Sequence, residues 1–273
     1  MNIQKLLPLQ FLAGFLFTAS LSAATVDGLQ LHSSISGVGP KTVILVHGWT
    51  CDETSWEFQV PALAENYRVI TLDLPGHGQS GSPANAELSM DLFARAIEAV
   101  RSEVKAGPIV LVGHSMGTPV ILQYARLYPQ NTVALVLVDG PAAPPQNAPS
   151  PELFAGPDGL KAREDIIRSM FSVSTTPEIQ RHILSMMLRT PEATAVGAMR
   201  AVLDPAIWKE DVFTQPVLGI YAEHSAMADP AYLKTRFPKL EFSEIPGTGH
   251  FLMLEKPEEF NRLLLAFLDQ LKY

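Results

Sequence analysis

Apolar residues fall into two rhythms along this chain. Short unbroken runs, rich in β-branched residues, occupy 42–47, 68–74, 108–113, 133–138, 217–221 and 240–245, and each reads as a strand. Helix-like stretches alternate with them at 53–66, 90–104, 116–128, 230–237 and 257–271. In 90–104, Leu92, Ala96, Ile97 and Val100 share one face, and Pro129 ends the stretch 116–128. The strand runs do not alternate with polar residues, which is the pattern of a parallel sheet covered on both faces. An earlier segment, 29–36, reads as one or two short antiparallel edge strands. The expected fold class is α/β, a mostly parallel central sheet with helices on both faces.

The alternation stops after Gly140. Pro141, Pro144, Pro145, Pro149 and Pro151 make the next stretch irregular, and helical segments then follow near 160–171, 177–188 and 191–202. The expected layout is a core of 25–140 and 213–273, interrupted by a helical insertion at 141–212.

The run ending at Val112 leads into Gly113-His114-Ser115-Met116-Gly117 and then a helix-like stretch. G-x-S-x-G carries meaning in this setting, a strand turning sharply into a helix. The serine backbone there is strained, and the next turn passes too close for a Cβ on the flanking residues. A hydroxyl is thereby held above the sheet edge, beside the first amides of a helix. Three further motifs stand in order along the chain: His47-Gly48-Trp49, Asp73-Leu74-Pro75-Gly76-His77-Gly78-Gln79-Ser80, and Gly247-Thr248-Gly249-His250-Phe251. A serine hydroxyl is a poor nucleophile at neutral pH and needs a base within reach, itself oriented by a third group. His250 takes the last place in the order Ser…Asp/Glu…His. His47 and His77 sit in loop motifs, His114 is the variable residue of the turn, His32 lies in a peripheral strand and His182 in the insertion.

On these motifs the chain resembles the α/β-hydrolases, from about residue 27 to 271. The resemblance implies that the insertion is a helical cap over Ser115, placed after the sixth strand, and that Met170, Phe171, Ile183, Met186, Met187, Leu188 and Met199 form its apolar underside. Trp49, Met170, Met186 and Met187 are the expected pocket residues. The resemblance also assigns the oxyanion donors to the backbone N–H groups of Trp49 and Met116. The acid departs from the family pattern. Its common position follows the seventh strand in a Gly-x-x-Asp turn, and here that place reads Ala222-Glu223-His224-Ser225. Some relatives take the acid from the end of the sixth strand, which here is Asp139. The expected acid is Asp139, with Glu223 and Asp229 as alternatives, while Asp73 organises the turn that follows it.

These residues imply a serine hydrolase acting on a small or medium uncharged carboxylic ester through an acyl-enzyme on Ser115, with no cofactor and no metal. Carbon–carbon bond hydrolysis, lactonase, cofactor-free haloperoxidase or cofactor-free oxygenase chemistry on the same scaffold is the alternative. A non-catalytic ligand-binding relative is a third.

Composition narrows this further. With 273 residues, 47% apolar and 18% charged, the chain suits one large domain with a well-buried core. The net charge of −8 and the lack of a dense Lys/Arg cluster exclude a nucleic-acid binder and disfavour anionic substrates at long range. At the N-terminus, Lys5, the apolar run 6–21 and the small residues Ser22, Ala23 and Ala24 form the pattern of a cleaved signal peptide over 1–24. The expectation is export, periplasmic or secreted, without a stable membrane anchor. The single cysteine, Cys51, forms no internal disulfide and is expected to be a small buried packing group.

Overall fold

A computed structural model describes residues 19–20, 24–85, 87–146 and 148–272. The expected signal peptide, 1–24, therefore lies outside the described residues apart from 19, 20 and 24. The described strands are β1 (Ala19–Ser20), β2 (Thr25–Val26), β3 (Leu29–Gln30), β4 (Ser33–Ser36), β5 (Thr42–Val46), β6 (Arg68–Leu72), β7 (Ile109–His114), β8 (Thr132–Val138), β9 (Val217–Ala222) and β10 (Leu240–Ile245). The helices are α1 (Gln59–Ala64), α2 (Met90–Glu103), α3 (Gly117–Leu127), α4 (Gly159–Ser169), α5 (Pro177–Arg189), α6 (Glu192–Leu203), α7 (Pro230–Arg236), α8 (Leu252–Glu255) and α9 (Pro257–Gln270).

Eight strands form one sheet in the order β1-β4-β6-β5-β7-β8-β9-β10. From β6 to β10 every pairing is parallel, while β4 lies antiparallel to β6 and β1 antiparallel to β4. Every residue of β5, β7 and β9 is buried, which is why these strands read as continuous apolar runs. Helix α3 packs over β7 and β8 with α2 against it, while α1 packs on β6 and α9 on β9, the two helices in contact with each other. The 29–36 segment divides. β4 joins the main sheet, while β3 pairs with β2 in a separate antiparallel hairpin.

One helical expectation is corrected, and one helix was missed. The stretch 53–66 is a 3₁₀ turn, Glu53–Trp56, followed by the short α1. Pro61 supplies the reason: it lacks an N–H, and its ring crowds the carbonyl of Glu57, so one continuous helix cannot run through. Helix α8 was not anticipated, because four residues are too short for a helical period to register.

Between β8 and β9 lie α4, α5 and α6. The buried Arg163 of α4 donates to the carbonyls of Met187 and Thr190, at 2.7 and 2.8 Å, and so closes the C-terminal end of α5. Three contacts fasten these helices to the core: Trp49 Nε1 donates to Ala195 O at 2.8 Å, Thr190 Oγ1 to Thr50 O at 2.8 Å, and Arg189 lies 3.1 Å from Asp52. Cys51 is buried beneath this seam, and burial pushes its thiol pKa up. Among the described residues no helix is long and apolar enough to cross a membrane.

Candidate active site

The turn after β7 is strained where chemistry would require it. Ser115 has φ +53°, the left-handed region that a residue with a Cβ seldom occupies. Its N–H donates to Val138 O and its carbonyl accepts from Thr118 N, both at 2.9 Å. The flanking glycines have a steric cause. A Cβ on Gly113 would lie 2.4 Å from Gly117 O, and one on Gly117 would lie 2.5 Å from Val46 O. Gly48 lets the loop after β5 close onto the turn, since a Cβ there would stand 3.0 Å from Ser115 Cβ. That approach brings Trp49 and Met116 to the same cavity wall as Ser115. Among the described residues neither the Trp49 N–H nor the Met116 N–H donates to a backbone carbonyl.

Asp139 follows β8 directly, with φ +41°. Its Oδ1 accepts the Ala222 N–H at 3.0 Å, and its Oδ2 lies 2.6 Å from His250 Nδ1. Both side chains are almost fully buried, at 5% and 8% exposure. Burial pushes the carboxyl pKa up, but hydrogen bonding to His250, the imidazole charge, the Ala222 N–H and the Ser225 side chain outweigh it and hold Asp139 below the usual carboxylate range. A carboxylate can only accept, so His250 donates its Nδ1–H, and in the neutral imidazole that tautomer leaves Nε2 as the basic nitrogen. His250 and Ser115 line the same cavity. No hydrogen bond joins them among the described residues, and contacts of this kind commonly tighten only when substrate is bound.

The two alternative acids are used elsewhere. Glu223 Oε2 accepts the Gly247 N–H at 2.9 Å, and Asp229 Oδ1 caps α7 by accepting from Ala231 N and Tyr232 N at 3.0 and 3.1 Å. The other core histidines have structural partners too. His47 accepts the Leu74 N–H on Nε2 at 3.0 Å and donates Nδ1–H to Gly48 O at 2.8 Å. Asp73 accepts from Glu53 N and Gln79 N, each at 2.8 Å, and so organises the turn after β6. His77 Nδ1 lies 3.1 Å from Pro75 O.

Two residues beside His250 were given no role in the site from the sequence, His114 being read only as the variable residue of the turn. His114 donates Nε2–H to the His250 carbonyl at 2.8 Å, and its ring centroid lies 4.7 Å from that of His250. Burial, reinforced by the charge of His250, lowers its pKa to about 3, so it stays neutral. Glu255 accepts the Gly249 N–H at 2.5 Å. The first occupies a position the motif leaves variable, and the second lies on the unanticipated α8, so neither carried a sequence signal.

A cavity of about 560 Å³ opens over Ser115, within the size range of small-molecule sites. Its walls are mostly apolar, with Trp49, Met116, Ile166, Met170, Met199 and Leu233 among them. Met186 and Met187 are not among the lining residues, which corrects their assignment to the pocket. Both are 2% exposed in the buried core, on the face of α5 that the helical insertion must bury to hold together. Between β8 and β9, the lining residues come instead from the irregular stretch 141–149, α4, α6 and the turn at Met170. Apart from His250, the ionisable side chains among the described lining residues are Asp229 and Tyr232, and none of the described lining residues is Lys or Arg. Among the described residues no cluster of three or more His, Cys, Asp or Glu could hold a metal ion.

A family model described as the alpha/beta hydrolase family matches residues 43–263. The dihydrolipoyllysine-residue acetyltransferase component of the acetoin cleaving system from Pseudomonas putida is 30% identical over 255 residues, 90% of this chain and 68% of that protein. A 2-hydroxy-6-oxononadienedioate/2-hydroxy-6-oxononatrienedioate hydrolase from Paraburkholderia phymatum is 27% identical over 274 residues, 89% of this chain and 92% of that protein. Among solved structures, a thermophilic esterase from Thermogutta terrifontis superimposes with a TM-score of 0.79 at 26% identity, covering 93% of this chain and 98% of that one.

Proposed function

The chain belongs to the alpha/beta hydrolase family, and we propose that within it the protein is a serine hydrolase of small to medium uncharged carboxylic esters. The observation that carries this reading is the 2.6 Å contact between Asp139 and His250 on the wall of the cavity that also holds Ser115. Ser115 Oγ attacks the ester carbonyl carbon while His250 Nε2 takes its proton. The oxyanion is met by the Trp49 and Met116 N–H groups, each donor lowering the barrier by about 3–4 kcal/mol. As the tetrahedral intermediate collapses, His250 returns the proton to the departing alkoxide and an alcohol leaves. A water deprotonated by His250 then attacks the acyl-enzyme and frees the acid. Asp139 keeps the imidazole in the productive tautomer and stabilises its cation.

The substrate class follows from the cavity. A dienedioate such as the Paraburkholderia relative is named for carries two carboxylates. In this cavity they would meet Asp229 and, among the described lining residues, no Lys or Arg, and a desolvated charge without a partner is costly. Ser115 also disfavours epoxide hydrolysis and dehalogenation, which in this fold proceed through an aspartate nucleophile. A panel of chromogenic esters, run beside an oxygen electrode, tests the reading. Ester turnover with fluorophosphonate labelling of Ser115 supports it. Oxygen consumption without ester turnover, or binding without turnover, overturns it.

Export through a cleaved signal peptide belongs to the same proposal. Intact-mass measurement on natively expressed protein should find a mature N-terminus near Ala24 or Thr25, outside the cytoplasm. An intact Met1 in the membrane fraction would replace the signal peptide by an anchor.

A further inference from the structure

The loop that carries His250 is gripped by the segment that follows α4. The His250 N–H donates to Met170 O at 3.2 Å, and Ser174 Oγ donates to Gly247 O at 2.8 Å. The two backbones lie so close that a Cβ on Gly249 would stand 2.6 Å from Met170 O. At this junction sits the carboxylate of Glu255, the last residue of α8. Its Oε2 accepts the Gly249 N–H at 2.5 Å and Ser172 Oγ at 2.9 Å, and its Oε1 accepts Thr175 Oγ1 at 2.6 Å. One side chain therefore ties the residue before His250 to two hydroxyls of a segment whose first residue, Met170, lines the cavity.

We propose that Glu255 is a positioning residue for the catalytic base. It holds the main chain at Gly249 and makes the aim of His250 depend on residues 170–175 being seated. Asp139 sets the tautomer and rotation of the imidazole, but a side chain can be aimed only as well as its Cα is held. Carboxylate acceptance of a backbone N–H is charge-assisted and short, which suits that task. The inference rests on the serine-hydrolase reading. It adds to that reading that a ligand displacing Met170 also displaces the base.

The test compares Glu255→Gln with the double variant Ser172→Ala/Thr175→Val, both in the full chain. Glutamine keeps the volume but offers one oxygen in place of two. With Glu255→Gln, kcat on a neutral ester should fall roughly 10- to 100-fold while KM stays near wild type, the signature of a misplaced catalytic group. The rate of fluorophosphonate labelling should fall in step. The proton between His250 and Asp139 should give a downfield NMR resonance in the substrate-free protein, and in the variant it should shift or broaden. The double variant removes the donors from the 170–175 segment, together with the acceptors that the Ser172 and Ser174 N–H groups use within it, and should show the same changes, smaller in size. It also provides the readout if Glu255→Gln does not fold.

Unchanged kcat and an unchanged downfield resonance in a folded Glu255→Gln protein would overturn the proposal. So would a lower melting temperature with a raised KM alone, since that is what a plain structural anchor produces. An unaffected double variant would overturn the link to residues 170–175. A wild-type protein inactive on every ester would count against the serine-hydrolase reading instead, and the resonance would still report on Glu255.

Discussion

Asp139 and His250, 111 residues apart in the chain, meet through a 2.6 Å contact that Ala222 helps to set. The Ala222 N–H pins one carboxylate oxygen at 3.0 Å, which leaves the other aimed at the imidazole. Ser225, at the place where the family commonly carries its acid, interacts with Asp139 rather than replacing it. Asp139→Asn should lower kcat by about 10⁴-fold, because an amide favours the wrong imidazole tautomer. Glu223→Gln and Asp229→Asn should each cost far less, since those carboxylates serve Gly247 and the start of α7. Steady-state kinetics on the three folded variants decide this, and the reverse ranking would return the acid to the loop after β9.

Ser115→Ala should abolish ester turnover and leave the fold intact. The hydroxyl makes no hydrogen bond among the described residues, and the side chain faces the cavity, so its loss removes little packing. Alanine also suits the left-handed φ of +53° no worse than serine does. Circular dichroism and the ester assay should show wild-type structure with no activity. Near-normal turnover would eliminate the serine mechanism.

Much of this site could be read from residue types because sterics and chemistry constrain them tightly. Gly113, Gly117 and Gly48 are glycines because a Cβ would collide with backbone or with Ser115, and such positions show as motifs. Asp139 was legible from an absence, Ser225 standing where an aspartate commonly sits, combined with a carboxylate closing a buried strand. The pocket was less legible. A stripe of methionines on a helix looks the same whether it faces a ligand or the core, and Met186 and Met187 lie in the buried core and not among the cavity-lining residues. Glu255 and His114 act on the backbone of other residues, and such contacts leave no periodicity in the sequence.

That correction has a measurable consequence. Met186→Ala deletes a buried side chain at 2% exposure and should cost about 2–5 kcal/mol of stability while leaving kcat/KM close to wild type. Met170→Ala, at the cavity wall, should cost less stability and shift preference towards bulkier esters. Urea melts and a substrate-size series, run on both variants, separate the two roles. A specificity change from Met186→Ala would put that residue back in the pocket.

The buried histidines should make the fold sensitive to mild acid. Burial, helped by the charge of His47, lowers the pKa of His77 to about 3, whereas an unfolded histidine titrates near 6.5. Below about pH 6.5 the unfolded chain binds a proton that the folded chain refuses until about pH 3. The folded pKa is the lower one, so this stability is complete above the unfolded value and is lost as pH falls through the window. For one such histidine the loss between pH 7 and pH 5 is at most about 2 kcal/mol. His77→Asn tests the point, because its amide can still donate to Pro75 O as Nδ1 does, without titrating. The variant should start somewhat less stable at pH 7, having lost packing against Phe93. Its stability should then fall less steeply towards pH 5 than that of the wild type. Urea midpoints at pH 7, 6 and 5 give both slopes, and parallel curves would show that His77 is protonated in the fold well above pH 3.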